Sequence, residues 1–531
     1  MPAHFALMLH AHMPYCRKSG VWPAGEEWLF EAMNETYIPL LLVLRRLLYA
    51  GVPCQAMVGV VPVLAEQLAD PYMKDRFCEY MESLIWRTRQ DLERFQDDDA
   101  RQRAAAYWLG LYEEHYRAFT RDFHRDILGT LKWLQDEGLV ELLTSAATHG
   151  FLPLLEHDSS IQAQVRLGVE TFRRHFGRDP QGFWLPECAY RPAQWSQLLG
   201  RERQAIDQWL AREGLKYFFV EGVGITRARL LDGAAGQPGP STFRGYRLAS
   251  GVAVFGRNQA TGEQVWSPQK GYPGDSRYLE FHQKDPQSGL RYLRVTGRVD
   301  KEIYDPEAAR GAVADQARHF VGLLQGELAQ AAQTREAPVL VAPYDCELYG
   351  HWWHEGPAFL ELVYHELARQ TLVEPIGLGR YLQRHGPGLA TIEMTASTWG
   401  LNSDFTVWQN PEHGWLWPYI NASAREMEEL LAMLQAQGQP RGQRGQRILR
   451  QMGRELLLMQ GSDWPFLLFT TQAKEYANQR FHHHHQRFRK LSWAARDLRD
   501  AGRLPEAELA LMEDVDCPWP ELDYGLFRKL D

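Results

Sequence analysis

The stretch GFWLPECAYRP, residues 182–192, joins the pattern of a buried strand to a charged residue that follows at once. Residues 182–185 are apolar, Pro186 interrupts the hydrogen-bonding ladder of a strand, and Glu187 comes directly after it. An unpaired carboxylate beside a buried strand costs several kcal/mol. Two interpretations fit this pattern: a surface loop, or a catalytic acid held at the mouth of a parallel sheet.

The stretch VLVAPYDCELYGHWW, residues 339–353, repeats the arrangement with Asp345 after its apolar strand. Functional groups of parallel barrels lie at the carboxyl ends of strands, and two carboxylates facing one cleft are the minimal apparatus for cleaving a glycosidic bond. One attacks or stabilises positive charge, while the other, with a raised pKa, delivers and removes a proton. We therefore interpret Glu187 and Asp345 as a catalytic pair, with Glu347 as a competing acid. These patterns alone do not decide which carboxylate is the nucleophile.

Short apolar runs of strand character alternate with helical stretches over much of the chain. The runs lie at residues 5–9, 56–60, 140–144, 182–185, 216–220, 252–255 and 339–342. Such alternation predicts a parallel sheet covered by helices on both faces. Seven units predict an α/β fold, a distorted TIM-like (β/α)7 barrel that is one strand short of eight.

Two regions depart from this alternation. Residues 73–137 are strongly helical and charged, which predicts a helical insertion in the barrel. After about residue 385 the strand pattern fades, and amphipathic patterns at 427–434 and 449–459 predict helices. We therefore predict a catalytic barrel over residues 1–385 and an α-helical C-terminal domain over residues 386–531.

The composition excludes several classes of function. The 531 residues are 45% hydrophobic and 24% charged, which is typical of a folded globular protein. A net charge of -9 without a basic stripe argues against a nucleic-acid partner. Six scattered cysteines without a CxxC pair indicate reduced thiols, and no signal peptide or membrane-spanning run is evident. We expect a cytoplasmic protein with neither a nucleic-acid nor a membrane partner.

Histidines and tryptophans supply further candidates for the site. His10 and His12 end the first strand, where alternation places both on one face, and His149 follows the third strand. They suit either hydrogen bonding to a sugar or a metal site completed by carboxylates. Trp266 and Trp399 lie in Gly/Ser/Pro-rich surroundings, where a ring is less easily buried, and we favour them as sugar-stacking platforms.

Six ordered segments extend these observations from single residues to most of the chain. They are LHAHMPY, ATHGFLPLL, GFWLPECAYRP, QVWSPQKGYPG, APYDCELYGHWW and SDWPFLLFTTQAKEYA. Together they resemble glycoside hydrolase family 57, specifically its 1,4-α-glucan branching enzymes. The resemblance implies a (β/α)7 barrel and a retaining double displacement on α-1,4-glucan, without a metal ion or other cofactor, as part of glycogen metabolism.

The resemblance also assigns roles to individual residues. Glu187 matches the family nucleophile, and Asp345 matches the general acid/base. Positions associated with substrate binding are matched by Arg257, Gly274, Trp399, Asp463 and Gln472. Residues around the subsite where the bond is broken are matched by His10, His12, His149 and Trp266.

One departure from the branching enzymes concerns the loop at residues 225–246. It is shorter here, with the sequence LLDGAAGQPGP and no aromatic residue at its apparent tip. Such a loop helps to exclude water from a covalent intermediate, so a short one favours hydrolysis. The alternatives are therefore an α-amylase or a 4-α-glucanotransferase of the same family. A metal-dependent carbohydrate deacetylase that uses the three histidines and a non-catalytic glucan-binding protein are weaker alternatives.

Overall fold

Seven parallel strands form the centre of the structure, which is a computed structural model. The structure describes residues 3–232, 239–267, 269–297, 301–333, 337–438, 442–496 and 504–530. The strands are β1 Ala3–Ala11, β2 Ala56–Val60, β3 Val140–Ser145, β4 Gly182–Trp184, β5 Tyr217–Val220, β6 Ala253–Gly256 and β7 Val339–Asp345. Each lies at one of the seven predicted apolar runs, which confirms the prediction of a seven-unit parallel sheet.

The strand order is that of a curled sheet whose two ends approach each other. The order is β7-β1-β2-β3-β4-β5-β6, and every pair between neighbours is parallel. Just beyond β6, the backbone N–H of Asn258 donates to the carbonyl oxygen of Val341 in β7 at 2.9 Å. This bond links the last strand of the order to the first, as expected of a barrel.

Strand alternation explains which residues reach the site. Ala6 and Met8 pack against inward-facing residues of the other strands, whereas Phe5, Leu7 and Leu9 belong to the core outside the sheet. His10 continues the inward-facing series, and the parallel register places it opposite Asp345 of β7. The period of two therefore brings these polar groups to the carboxyl end of the barrel interior.

Helices cover the outer face of the sheet and account for much of the described chain outside it. They are α1 Glu26–Ala32, α2 Ile38–Tyr49, α3 Pro62–Ala69, α4 Pro71–Arg94, α5 Asp99–Arg117, α6 Ile127–Asp136, α7 Asp158–Phe176, α8 Ile206–Arg212, α9 Gly222–Thr226, α10 Gln259–Trp266, α11 Pro306–Ala332, α12 Gly356–Ala368, α13 Leu378–His385, α14 Leu416–Ala436, α15 Gln443–Met459, α16 Asp463–Thr470, α17 Lys474–Ala495 and α18 Glu506–Val515. The segment between β2 and β3 contains α3 to α6, and most of the described residues after 415 are helical. The domain boundary near residue 385 stays a prediction.

Short strands complete the sheets. Tyr246–Arg247 is antiparallel to β6, and Val373–Pro375 is parallel to β1. Two separate ribbons pair Gln194–Ser196 with Arg201–Arg203 and Arg229–Leu230 with Ile392–Glu393.

The C-terminal helices dock on the barrel through the chain that joins α15 to α16. Gly461 forms a β-bridge with Gly150, and the backbone N–H of Ser462 donates to the carbonyl oxygen of His149 at 3.0 Å. The Thr148 hydroxyl donates to the carbonyl oxygen of Leu457 at 2.6 Å. These bonds bring residues distant in sequence to the carboxyl ends of the strands.

Candidate active site

A cleft of about 1440 Å³ lies at the carboxyl ends of the strands and extends to the C-terminal helices. Eight of the predicted site residues line it: His10, His12, His149, Glu187, Asp345, Trp399, Asp463 and Gln472. The other three, Arg257, Trp266 and Gly274, do not line this cleft. The barrel therefore brings together most of the predicted set, including both candidate catalytic carboxylates.

The backbone at Glu187 has a conformation that is uncommon for a residue with a side chain. The short turn Pro186–Cys188 follows β4, and Glu187 has a left-handed φ of 62°. Such a conformation costs of the order of 1–3 kcal/mol and persists only where the surroundings hold it. The carbonyl oxygen of Glu187 accepts from the Thr398 hydroxyl at 2.7 Å and from the Trp399 backbone N–H at 3.2 Å. The segment after the barrel thus fixes the turn that carries this carboxyl group.

Each oxygen of the Glu187 carboxyl group has its own hydrogen-bond donor. The indole Nε1–H of Trp399 donates to Oε2 at 2.9 Å, and the Ser462 hydroxyl lies 2.8 Å from Oε1. Burial raises the pKa of Glu187 above its usual value, while these two hydrogen bonds act in the opposite direction. Donors to both oxygens hold the carboxyl plane and favour its ionised form.

The Asp345 carboxyl group has a different environment. It ends β7, and none of the residues that the structure describes donates a hydrogen bond to it. Burial raises the pKa of Asp345 well above its usual value, and the nearby carboxylates of Glu347 and Glu187 raise it further. Two hydrogen bonds oppose the rise at Glu187 and none opposes it at Asp345, so a proton is favoured on Asp345, which is the pattern of an acid paired with a nucleophile.

The competing acid Glu347 is engaged by the protein itself. Its Oε1 accepts from the Tyr37 hydroxyl and from the backbone N–H of His12 at 3.1 Å. Burial raises the pKa of Glu347, and these partners oppose that rise. Glu347 also lines the cleft, but its donors leave it less free than Asp345 to exchange a proton with a ligand.

The three histidines form a stacked group in which the surroundings shift the pKa values in opposite directions. His12 lies 4.1 Å from His149 between ring centroids, and Nε2 of His10 lies 3.1 Å from Nε2 of His149. Burial, with a contribution from neighbouring histidines, lowers the pKa of His10 and His149 well below the usual value. Burial also disfavours charge on His12, but Asp463, 2.8 Å from Nε2, together with the carboxylates of Glu347 and Glu187 outweighs it and raises the His12 pKa.

A metal site requires several ligand-type side chains close enough to share one ion. Within the ranges that the structure describes, the group of three ligand-type residues close enough to share one ion is Glu455, His484 and Asp516, in the C-terminal helices. Arg480 and Arg487 both contact that group, so its acidic charge is already paired with guanidinium groups. The expected absence of a metal at the histidines stays a prediction.

The three predicted residues outside the cleft have other surroundings. The Arg257 guanidinium pairs with Glu221 at 2.6 Å and lies 5.8 Å from the ring centroid of Trp399. Trp266 ends α10 and is 38% exposed, with its ring centroid 5.8 Å from that of Trp352, which lines the cleft. Gly274 is exposed and ends a short turn that begins at the buried Tyr272.

Ser462 is the site residue that the sequence did not reveal. It is fully buried, contacts Glu187 and His149, and lies on the connection between α15 and α16. The one available signal was its place next to Asp463 in the segment SDWPF. The loop at residues 225–246, which we predict to favour hydrolysis because it is short, includes residues 233–238. These residues lie outside the described residues, so the structure does not test that prediction.

In the part of the chain that the structure describes, no helix is both long enough and apolar enough to cross a membrane.

Comparison with known proteins gives matches over nearly the whole chain. Residues 6–391 match the family model of glycosyl hydrolase family 57, and residues 419–527 match the model described as 1,4-alpha-glucan branching enzyme, C-terminal. The chain is 43% identical to a 1,4-alpha-glucan branching enzyme of Thermococcus kodakarensis over 97% of its own length and 77% of that enzyme.

Solved structures give the same result for the fold. The crystal structure of that Thermococcus enzyme in complex with glucose is 41% identical, with a TM-score of 0.93, and covers 100% of this chain and 97% of the solved one. The α-amylase AmyC of Thermotoga maritima is 28% identical, with a TM-score of 0.85 and complete coverage of both chains. These matches confirm the predicted (β/α)7 barrel with its helical C-terminal part.

Proposed function

The chain belongs to glycosyl hydrolase family 57, and we propose that it is a 1,4-α-glucan branching enzyme. It cleaves an α-1,4 bond and transfers the released chain to a 6-hydroxyl group of a glucan. The observation that carries this proposal is one cleft lined by the hydrogen-bonded Glu187 and by Asp345, whose pKa is raised well above its usual value, next to C-terminal helices that match the branching-enzyme model.

In the first step, Glu187 attacks the anomeric carbon and forms a covalent glycosyl ester. Donors to both of its oxygens support this role, because they orient the carboxylate and favour its ionised form. Asp345 gives its proton to the departing glycosidic oxygen. Its raised pKa supports this role, because burial and the nearby carboxylates favour the protonated form of Asp345, whereas two hydrogen-bond donors favour the ionised form of Glu187.

In the second step, Asp345 acts as a base. It removes the proton of the acceptor hydroxyl, whose oxygen attacks the anomeric carbon and displaces Glu187. A 6-hydroxyl acceptor gives a branch, a 4-hydroxyl gives 4-α-glucanotransfer, and water gives hydrolysis. The proportion of each product depends on how well the cleft excludes water from the intermediate.

The neighbouring residues bind the sugar at the point of cleavage. We assign this role to His10, His12, His149, Trp399, Asp463 and Gln472. Asp463 favours the charged form of His12, which can donate a hydrogen bond to a hydroxyl oxygen of the ligand. The neutral forms of His10 and His149 each have one N–H donor and one acceptor nitrogen. Arg257 acts through the Trp399 ring that it faces, and Trp266 and Gly274 extend the binding surface beyond the cleft.

A second candidate is an α-amylase built on the same barrel. The similarity to the Thermotoga α-amylase over the full length of both chains favours it, as does the short loop at residues 225–246. Both candidates share the nucleophile and the acid, so only the acceptor separates them. A cytoplasmic location, where glucan and enzyme meet, is part of the proposal.

Amylose incubation separates the two candidates. Reducing ends are measured directly and again after treatment with a debranching enzyme. New short chains that appear only after debranching are expected, because each transfer creates an α-1,6 branch. An immediate rise in reducing ends, with nothing further released by debranching, would instead establish hydrolysis.

A further inference from the structure

Ser462 comes from the C-terminal helices but lies at the catalytic centre. Its Oγ is 2.8 Å from Oε1 of Glu187 and 2.8 Å from Nδ1 of His149. The residue is fully buried, and its backbone N–H donates to the carbonyl oxygen of His149. Both its backbone and its side chain are therefore fixed against the barrel.

The chemistry of these groups decides the direction of each hydrogen bond. An ionised Glu187 can only accept, so the Ser462 hydroxyl donates to Oε1. The Ser462 oxygen then accepts from Nδ1–H of His149. A neutral imidazole carries one N–H, so Nε2 of His149 is an acceptor, and Nε2–H of His10 donates to it across 3.1 Å.

The surroundings of Nδ1 of His10 agree with this assignment of protons. If His10 carries its proton on Nε2, its Nδ1 is unprotonated and needs no hydrogen-bond acceptor. In the structure, Nδ1 of His10 is buried and has no partner among the described residues. Burial also lowers the pKa of both histidines well below the usual value, so each is in the neutral form that the order requires.

We propose that Ser462 is a positioning residue for Glu187, whose hydroxyl holds the carboxylate at the end of a one-way chain of hydrogen bonds from His10 through His149. The proposal rests on the proposed function, in which Glu187 is the nucleophile. A donor to Oε1 stabilises the ionised carboxylate more than its protonated form. Ser462 therefore keeps Glu187 ionised and oriented for attack on the anomeric carbon, which is the step that kcat/KM reports.

The test compares Ser462→Ala with two other variants. Ser462→Ala is expected to lower kcat/KM on amylose by about 10- to 100-fold, because it removes a hydrogen bond to a charged group. The KM should change little, and Ser462→Thr, which keeps the hydroxyl, should restore most of the activity. Ser397→Ala is the matched control, since its buried hydroxyl has no partner among the described residues, and it should stay close to wild type.

The pH profile supplies a readout that a purely structural role would not move. Loss of a donor to the ionised form moves the acid limb of kcat/KM to higher pH in Ser462→Ala. The titratable groups that contact Glu187 or act on it electrostatically are unchanged in all variants, and they are His12, His149, Cys188, Asp345 and Asp463. Any shift between variants therefore comes from the hydroxyl group.

Several results would overturn the proposal. They are a Ser462→Ala enzyme with wild-type kcat and pH profile, a rise in KM alone, or equal losses in Ser462→Ala and Ser397→Ala. If thermal unfolding shows that Ser462→Ala does not fold, Ser462→Cys keeps a side chain of similar size with a weaker donor and is judged by the same criteria.

A readout without substrate separates this proposal from the proposed function. Nitrogen-15 NMR of labelled histidine should find the proton of His149 on Nδ1 and that of His10 on Nε2, with the signals assigned by His149→Gln and His10→Gln. The opposite positions would refute the chain of hydrogen bonds even in an active enzyme. A wild-type enzyme that forms no branches but shows these positions would contradict branching and leave the chain supported.

Discussion

Trp399→Phe separates two roles for an aromatic residue at the catalytic centre. The indole Nε1–H donates to Oε2 of Glu187 at 2.9 Å, while the ring contacts Trp184 edge-on at 5.1 Å between centroids. Phenylalanine keeps an aromatic ring at this position but removes the N–H. A stacking platform for sugar would mostly survive the change, whereas a donor to the nucleophile would be lost.

The size of the effect follows from the contact that is removed. A hydrogen bond to a charged group contributes about 1.5–3 kcal/mol, and each 1.36 kcal/mol corresponds to tenfold in rate. We therefore expect kcat/KM to fall by about 10- to 150-fold, mainly through kcat. Because the lost donor stabilised the ionised carboxylate, the pKa of Glu187 rises, and the acid limb of the rate moves to higher pH.

The assay is the initial rate of branch formation on amylose over a range of pH, with chains counted after debranching. Trp209→Phe is the matched control, since Trp209 is buried on α8 and its Nε1 has no partner among the described residues. A Trp399→Phe enzyme with unchanged kcat and raised KM would refute the reasoning. It would show that Trp399 binds the sugar equally in the ground state and the transition state, and that its hydrogen bond to Glu187 does not contribute to the rate.

Four further predictions use the same assay. Glu187→Gln should reduce turnover by more than about 10³-fold without loss of thermal stability, and retained activity would rule out Glu187 as the nucleophile. Asp345→Asn should lower turnover on amylose by about 10²- to 10⁴-fold. The loss should be smaller with a maltosyl fluoride donor, because its leaving group needs no proton. Equal losses on both substrates would contradict the acid role. Asp463→Asn removes the charge that raises the pKa of His12, so the alkaline limb should move to lower pH, and an unmoved limb would show that the charge on His12 is not needed. Exhaustive chelation should leave the rate unchanged, whereas a loss restored by zinc would revive the metal alternative.

The barrel could be predicted because its strands are short, apolar and buried on both faces. The inward-facing positions of β1 follow from strict alternation, so the placement of His10 could also be read from the chain. The two carboxylates were visible because each follows a strand directly. Local sequence patterns were therefore sufficient to predict the strands and the functional residues at their carboxyl ends.

Contacts between distant segments could not be predicted in the same way. Ser462 is an ordinary serine in the sequence, and only the docking of the α15–α16 connection brings it to Glu187. Nothing in the sequence HHHH at residues 482–485 distinguishes one histidine from the next, yet His484 is fully buried and lies 2.7 Å from Glu455. A helix turns one of four neighbouring side chains inward, and which partner meets it depends on tertiary packing.

The docking of the C-terminal helices has a consequence for the newly made chain. Domains fold from the N-terminus as the ribosome releases them, so the barrel strands emerge well before Ser462 and Asp463 are added. Until then, Glu187 lacks the donor to Oε1 and His12 lacks its counter-ion. The catalytic groups of a newly made chain are therefore incomplete until the connection between α15 and α16 has docked on the barrel.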